Sequence, residues 1–144
     1  MFKKILVPTD VSEASKRALD VALALAKQFE SEVELFHVVY TPEPIVDAEA
    51  TFNLAPLYPT PDQINEMGQA VMERALKDVD AGNIKIEKKF VAGHAAMEVI
   101  EEANKGFDLV VMGSRGQGPL TGAVLGSVAQ RVLSGAHCPV LIVK

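Results

Sequence analysis

No tryptophan, one cysteine and few other aromatic residues, two tyrosines and six phenylalanines, mark this sequence of 144 residues. The lone thiol, Cys138, cannot close an internal disulfide, so stability must come from a hydrophobic core, and the expected compartment is the reducing cytoplasm. Long apolar runs are missing too. No segment reaches the ~20 residues needed to cross a bilayer, so no membrane partner is expected. The opening stretch carries Lys3 and Lys4 but only Ile5, Leu6 and Val7 before Pro8, too short an apolar centre for a signal peptide. An excess of basic residues is also absent. The net charge is −5, which argues against nucleic acid as the main partner, because that binding depends on Lys and Arg neutralising phosphates. Lys85, Lys88 and Lys89 interleave with Ile86 and Glu87 and read as a solvated strand face. His37, His94 and His137 are scattered, with no cysteine or carboxylate at ligand spacing, so no metal centre is expected. His37 reads as a core residue of an apolar strand, and His94 begins a helix near the expected loops. Cys138, beside Pro139, reads as a buried small hydrophobe with no base to activate it. No Ser-His-Asp arrangement can be placed.

What is present suffices for one folded domain spanning residues 1–144. Hydrophobic residues make up 49% and charged residues 23%, the balance of a globular chain. Phe2 to Val7 reads as a first strand ending at Pro8. Ser12 then offers an N-cap, with Glu13 and Ser15 in the first turn of a helix running to about Phe29. Ala18, Ala22, Leu25, Ala26 and Phe29 recur at helical spacing, and Leu19 and Leu23 widen the stripe. Glu32 to Val39 alternates as a second strand. From Thr41 to Pro61 the chain carries Pro42, Pro44, Pro56, Pro59 and Pro61 without a sustained period, a loop that is either functional or mobile. Thr60, Pro61 and Gln63 then spell a cap, a first helical position and a capping box, opening a helix expected to reach Gly82. A third strand follows over Ile84 to Val91. A helix entered through Gly93 and His94 ends at Gly106. Asp108 to Met112 forms a fourth strand, Val128 to Leu133 lie in a short helix ended by Gly135, and Pro139 to Val143 forms a fifth strand.

Five strands alternating with four helices predict an α/β fold: an open, doubly wound parallel sheet with helices on both faces. The unbroken runs Ile5–Val7, Leu109–Met112 and Val140–Val143 suit strands covered on both sides. Ligands of such sheets bind beyond the carboxyl ends of the strands, where strand order reverses. That directs attention to the loops after the first, second and fourth strands.

The loop after the fourth strand is rich in glycine: Gly113, Gly116, Gly118, Gly122 and Gly126. A P-loop would need a lysine followed by Ser or Thr, and this loop has Arg115 as its only cation. A dinucleotide fingerprint would follow the first strand, and its third glycine is here Thr121. A third pattern fits completely: Gly113, two residues, Gly116, nine residues, Gly126, then Ser127. Together with Lys3–Asp10, Glu34–Val38, Asp108–Gly116 and Cys138–Val143, in that order, it makes the chain resemble the universal stress protein family over essentially its whole length, in the subgroup that binds ATP.

The resemblance implies the strand order 3-2-1-4-5, which sets the loops after strands one and four side by side. It implies that Pro8, Thr9 and Asp10 line the adenine and ribose side, with the Asp10 carboxylate accepting from the nucleoside. Val38 would offer its backbone to the adenine edge, and Met112 would pack beside base or sugar. Gly113, Ser114, Arg115 and Gly116 would approach the phosphates, with Gly126, Ser127 and Val128 at a helix start facing the anion. Physical chemistry agrees: glycine removes Cβ clashes, and a helix N-terminus offers N–H groups and a favourable dipole. Plainer roles stand beside these. Asp10 also suits a helix cap, Met112 the core, and Ser127 the cap of its own helix.

The implied function is that of a nucleotide-dependent sensor or adaptor in stress adaptation, holding ATP with or without Mg²⁺, or another adenine nucleotide. Hydrolysis needs a positioned water and charge stabilisation, and one carboxylate and one cation near the loop suggest slow turnover or none. Two rivals remain open: a slow ATPase or self-phosphorylating enzyme with Ser127 or Thr121 as acceptor, and an interaction module with no nucleotide. Val140–Val143 would form an apolar edge followed only by Lys144, and a homodimer through that edge is expected.

Overall fold

A computed structural model describes residues 1–42, 58–116 and 124–144. Gly118, Thr121 and Gly122 lie outside the described residues, as does the proline-rich stretch from 43 to 57. The described chain runs through strand β1 (Lys4–Pro8), helix α1 (Glu13–Phe29), β2 (Glu32–Tyr40), α2 (Pro61–Leu76), β3 (Ile86–Gly93), α3 (Ala95–Ala103), β4 (Leu109–Gly113), α4 (Ser127–Gly135) and β5 (Val140–Val143). The strands form one sheet of order β3-β2-β1-β4-β5 in which every pairing is parallel. The expected topology and strand order are therefore those of the molecule.

The period-two alternation of β1 explains why helices cover both faces. Ile5 and Val7 point to one side, where they pack with Val33 and Leu35 of β2, the Ala18–Ala22–Ala26 stripe of α1 and Met72 of α2. Leu6 points to the other, into a cluster with Phe36, Val110, Met112, Val99 of α3 and Val132 of α4. Ile5, Leu6 and Val7 are all fully buried, as strands with two covered faces must be.

Helix punctuation follows local chemistry. Ser12 caps α1 by accepting from Ser15 N, and Glu30 closes it in the left-handed region at φ 54. Thr60 and Gln63 form both halves of the capping box at the start of α2, with Pro61 in the first turn. The end of α2 departs from expectation, because it stops at Leu76 and not near Gly82. Lys77 turns extended and Asp78 sits at φ 61, so the helical ladder ends although Val79 keeps the apolar period and packs against the same core. β3 likewise starts at Ile86, two residues after Ile84. Its first partner is Val33, and β2 begins only one residue earlier, so nothing of β2 stands opposite Ile84.

Candidate nucleotide site at the carboxyl edge of the sheet

β1 lies between β2 and β4, so the chain leaves β1 toward one side of the sheet and β4 toward the other. The two connections diverge at the carboxyl ends of these strands and leave a crevice there. It holds a cavity of about 260 Å³ with largely apolar walls. Phe36, Val38 and Met112 supply strand surface, Ala95 and Val99 come from α3, and the first turn of α4 closes one end. Asp10 is the only carboxylate and Arg115 the only Lys or Arg side chain among the described residues lining it.

Pro8, Thr9, Asp10, Val38, Met112, Gly113, Arg115, Gly116, Gly126, Ser127 and Val128 all line this cavity. Ser114 does not. Its backbone N–H donates to Val143 O at 2.8 Å and its carbonyl accepts from Gly126 N at 2.8 Å, so this buried residue ties β4 to β5 and to the start of α4.

That tie changes the reading of the helix start. The Gly126 N–H is already given to Ser114, and Gly126 serves as N-cap of α4. The donors without a partner inside the helix are those of Ser127, Val128 and Ala129, the first turn, and these are the groups that can meet an anion.

The glycines also divide by role. A Cβ on Gly113 would stand 2.8 Å from the backbone carbon of Ala14 and 3.0 Å from Ser15 N. Gly113 therefore lets β4 approach the first turn of α1, a packing requirement that exists with or without a ligand. A Cβ on Gly116 would instead stand 2.7 Å from Asp10 Oδ2. Gly116 thus keeps open the space before the carboxylate, and the Asp10 side chain reaches from the β1 loop to the glycine loop.

The turn after β1 is held by its own side chains. Asp10 Oδ1 accepts from Ser12 N at 2.9 Å, and Thr9 Oγ1 accepts from Val11 N at 3.2 Å while donating to Ser15 Oγ at 3.3 Å. Thr9 N donates to Phe36 O at 2.8 Å, extending the β1–β2 ladder by one rung. Asp10 does not cap α1, a place taken by Ser12; its Oδ1 closes the turn onto the Ser12 N–H while the other oxygen faces Gly116.

Ser15, Phe36, His37, Ala95, Val99 and Ala129 also line the cavity and were missed by motif reading. Phe36 was recoverable, since alternation puts it on the same face as Val38. His37 was expected in the core; it is half-buried at the cavity wall, with Nδ1 at 2.7 Å from Thr9 O. His94, at the N-cap of α3, packs edge-on against Tyr40 with ring centroids 5.4 Å apart. Cys138 is half-buried against the Leu6–Phe36 cluster, and burial pushes its thiol above the usual range, away from thiolate chemistry.

Farther down the same sheet face lies an ionic cluster that the sequence did not announce. Glu102, on α3, is 5% exposed and takes Lys89 Nζ at 2.7 Å on Oε1 and Lys105 Nζ at 2.9 Å on Oε2. Its burial opposes ionisation, yet those lysine contacts outweigh it and hold its carboxyl below the usual range. Neighbouring Glu34 on β2 makes no lysine ion pair among the described residues, and its Oε1 is buried with no hydrogen bond from them. Burial, followed by the charge of Glu102, pushes Glu34 up to about 7 against the pull of Lys89.

Comparison with known proteins fits this geometry. The sequence profile described as the Universal stress protein family matches residues 1–144. Universal stress protein MJ0531 of Methanocaldococcus jannaschii is 38% identical over 146 residues, covering all of this chain and 83% of that protein. Universal stress protein YxiE of Bacillus subtilis is 32% identical over 159 residues, covering both chains entirely. Among solved structures, MJ0577 of M. jannaschii superposes with a TM-score of 0.79 at 32% identity, covering 100% of this chain and 96% of that one. A universal stress protein solved in complex with cAMP gives a TM-score of 0.65 at 26% identity, covering 99% and 97%. Family profile, relatives and superposition agree over the full length, and the chain belongs to the universal stress protein family.

Proposed function

We propose that this protein binds an adenine nucleotide, ATP foremost, and acts as a nucleotide-dependent sensor or adaptor in the cytoplasmic stress response. One observation carries the reading. A single cavity joins an apolar slot able to hold a base, a carboxylate at Asp10 able to accept from ribose hydroxyls, and the first turn of α4 aimed as an anion site. Pro8, Thr9 and Val38 then flank the base, Met112 packs beneath it, and Gly116, Ser127 and Val128 meet the phosphates. The complex with cAMP formed by a relative supports an adenine ligand. With Asp10 the one carboxylate among the described residues of the wall, a Mg²⁺ ion accompanying ATP would be held chiefly by the phosphates. Among the described residues the wall offers one carboxylate to position an attacking water, in keeping with a bound nucleotide that serves as a signal and is turned over slowly.

The protein assembles, on this proposal, as a homodimer through β5. That strand is at one edge of the sheet, and Leu141 in its middle is 39% exposed.

Thermal unfolding with ATP, AMP, cyclic AMP and GTP tests the binding claim. A ligand held by the native state alone raises the unfolding temperature with its concentration. Adenine nucleotides should do so and GTP should not; equal shifts with GTP would refute an adenine-specific slot. Incubation with γ-labelled ATP tests the turnover claim, and stoichiometric label on the protein would replace the sensor by a self-phosphorylating enzyme.

A further inference from the structure

We infer that His37 is the positioning residue of this site, acting on Asp10 through the Thr9 carbonyl; the inference rests on the nucleotide reading above and assigns a residue to it. A carbonyl oxygen can only accept, so the 2.7 Å contact between His37 Nδ1 and Thr9 O requires that Nδ1 carry a hydrogen. The neutral ring is thereby fixed as the Nδ1–H tautomer, with Nε2 as its acceptor.

The bond matters because of what Thr9 starts. Val11, two residues on, is a β-branched residue in the left-handed region at φ 64, a conformation that persists only when its surroundings impose it. Four hydrogen bonds impose it here. Thr9 N is held by Phe36 O, Val11 N by Thr9 Oγ1, Ser12 N by Asp10 Oδ1, and Thr9 O by His37. The first three join backbone to backbone or close the turn on itself. The His37 bond alone among the four ties the turn to a side chain of another strand, β2, next to Val38 in the cavity wall. The turn it fixes sends the second Asp10 oxygen toward Gly116, where a Cβ would stand 2.7 Å away. His37 therefore couples the strand beside the base to the carboxylate beside the sugar. Its role is to hold Asp10 in place before the ligand arrives.

Two measurements on the full chain decide the matter. ¹⁵N NMR of the imidazole, without ligand, should show the Nδ1–H tautomer for His37; the Nε2–H tautomer would overturn the inference directly. Calorimetric titration with ATP should show a loss of about tenfold for His37→Leu. His37→Asn, whose amide nitrogen can stand near the place of Nδ1, should restore binding to within about threefold of the wild type. In an Asp10→Asn background, His37→Leu should change affinity by less than about threefold, since its effect runs through the carboxylate. Full additivity of the two substitutions, or failure of Asn to rescue a folded variant, would overturn the role. Wild-type protein that binds no adenine nucleotide would refute the nucleotide reading instead, and the tautomer, read without ligand, separates the two failures.

Discussion

Replacing Ser127 by proline separates the helix N-terminus as an anion site from the helix as a structural element. Ser127 is the first residue of α4, and its N–H has no acceptor within the helix. Proline is at home in that position, provided the preceding residue is extended, and Gly126 already has φ −62 and ψ 154. The side chain of Ser127 is exposed, so the ring meets no packed neighbour. Stability should therefore stay level or rise by about 0.4–1 kcal/mol as the unfolded chain loses freedom.

Binding should behave differently. A hydrogen bond to a charged oxygen contributes about 1.5–3 kcal/mol, so deleting the N–H should weaken ATP binding about tenfold to 150-fold. Ser127→Ala removes only the hydroxyl and should cost about 0.5–1.5 kcal/mol, roughly two- to tenfold. Titration with adenosine supplies the control, because a ligand without phosphate never meets the helix start. Wild-type affinity for ATP in a folded, thermally stable Ser127→Pro variant would refute a phosphate contact at the start of α4. An equal loss for adenosine and ATP would also refute it.

Three further outcomes follow from the packing and the charges. Gly113→Val should lower stability by about 1–3 kcal/mol or more in denaturant titration, since the new side chain enters the backbone of α1 at Ala14; unchanged stability would show that β4 and α1 are not so closely apposed. Glu34 ionises near 7 in the folded protein against an ordinary 4.5, so its protonated form is favoured by folding. Its contribution is complete below about pH 4.5 and is lost as pH rises to about 7 and beyond. Glu34→Gln should therefore stabilise the protein at pH 8 by about 1–2 kcal/mol, less than the full shift implies because the residue is only half-buried, and should do little near pH 4.5. A stability gain that does not vary between these pH values would contradict the assignment. Leu141→Lys places a charge on the β5 edge and should convert a sedimenting dimer to monomer; a variant that remains dimeric would move the interface elsewhere.

Much of the architecture was legible because short-range chemistry and long-range topology agree here. The capping box at Thr60 and Gln63, the Ser12 cap and the unbroken apolar strands each have one favourable interpretation, and alternating elements leave few ways to wind the sheet. Ends controlled by pairing were less legible: β3 begins where β2 offers a partner, and α2 ends where Asp78 turns left-handed. Most of the lining of the candidate cavity was legible through the motif, but not the part each residue plays in the fold. Spacing placed Gly113, Ser114, Gly116 and Gly126 together. It did not show that Gly113 accommodates α1, that Ser114 and Gly126 satisfy one another, or that Gly116 clears Asp10. His37 escaped because an alternating strand pattern assigns a face to a residue, whereas its importance comes from the strand ending at the crevice. The Glu34–Glu102 cluster escaped for a related reason, since its members come from β2, β3 and the end of α3, three segments that only the fold assembles.

Calorimetric titration of the wild-type protein with ATP, and by competition with AMP and cyclic AMP, tests the central claim most directly. Saturable binding of one adenine nucleotide per chain is expected. No saturable heat with ATP, and no competition by either of the others, would contradict it.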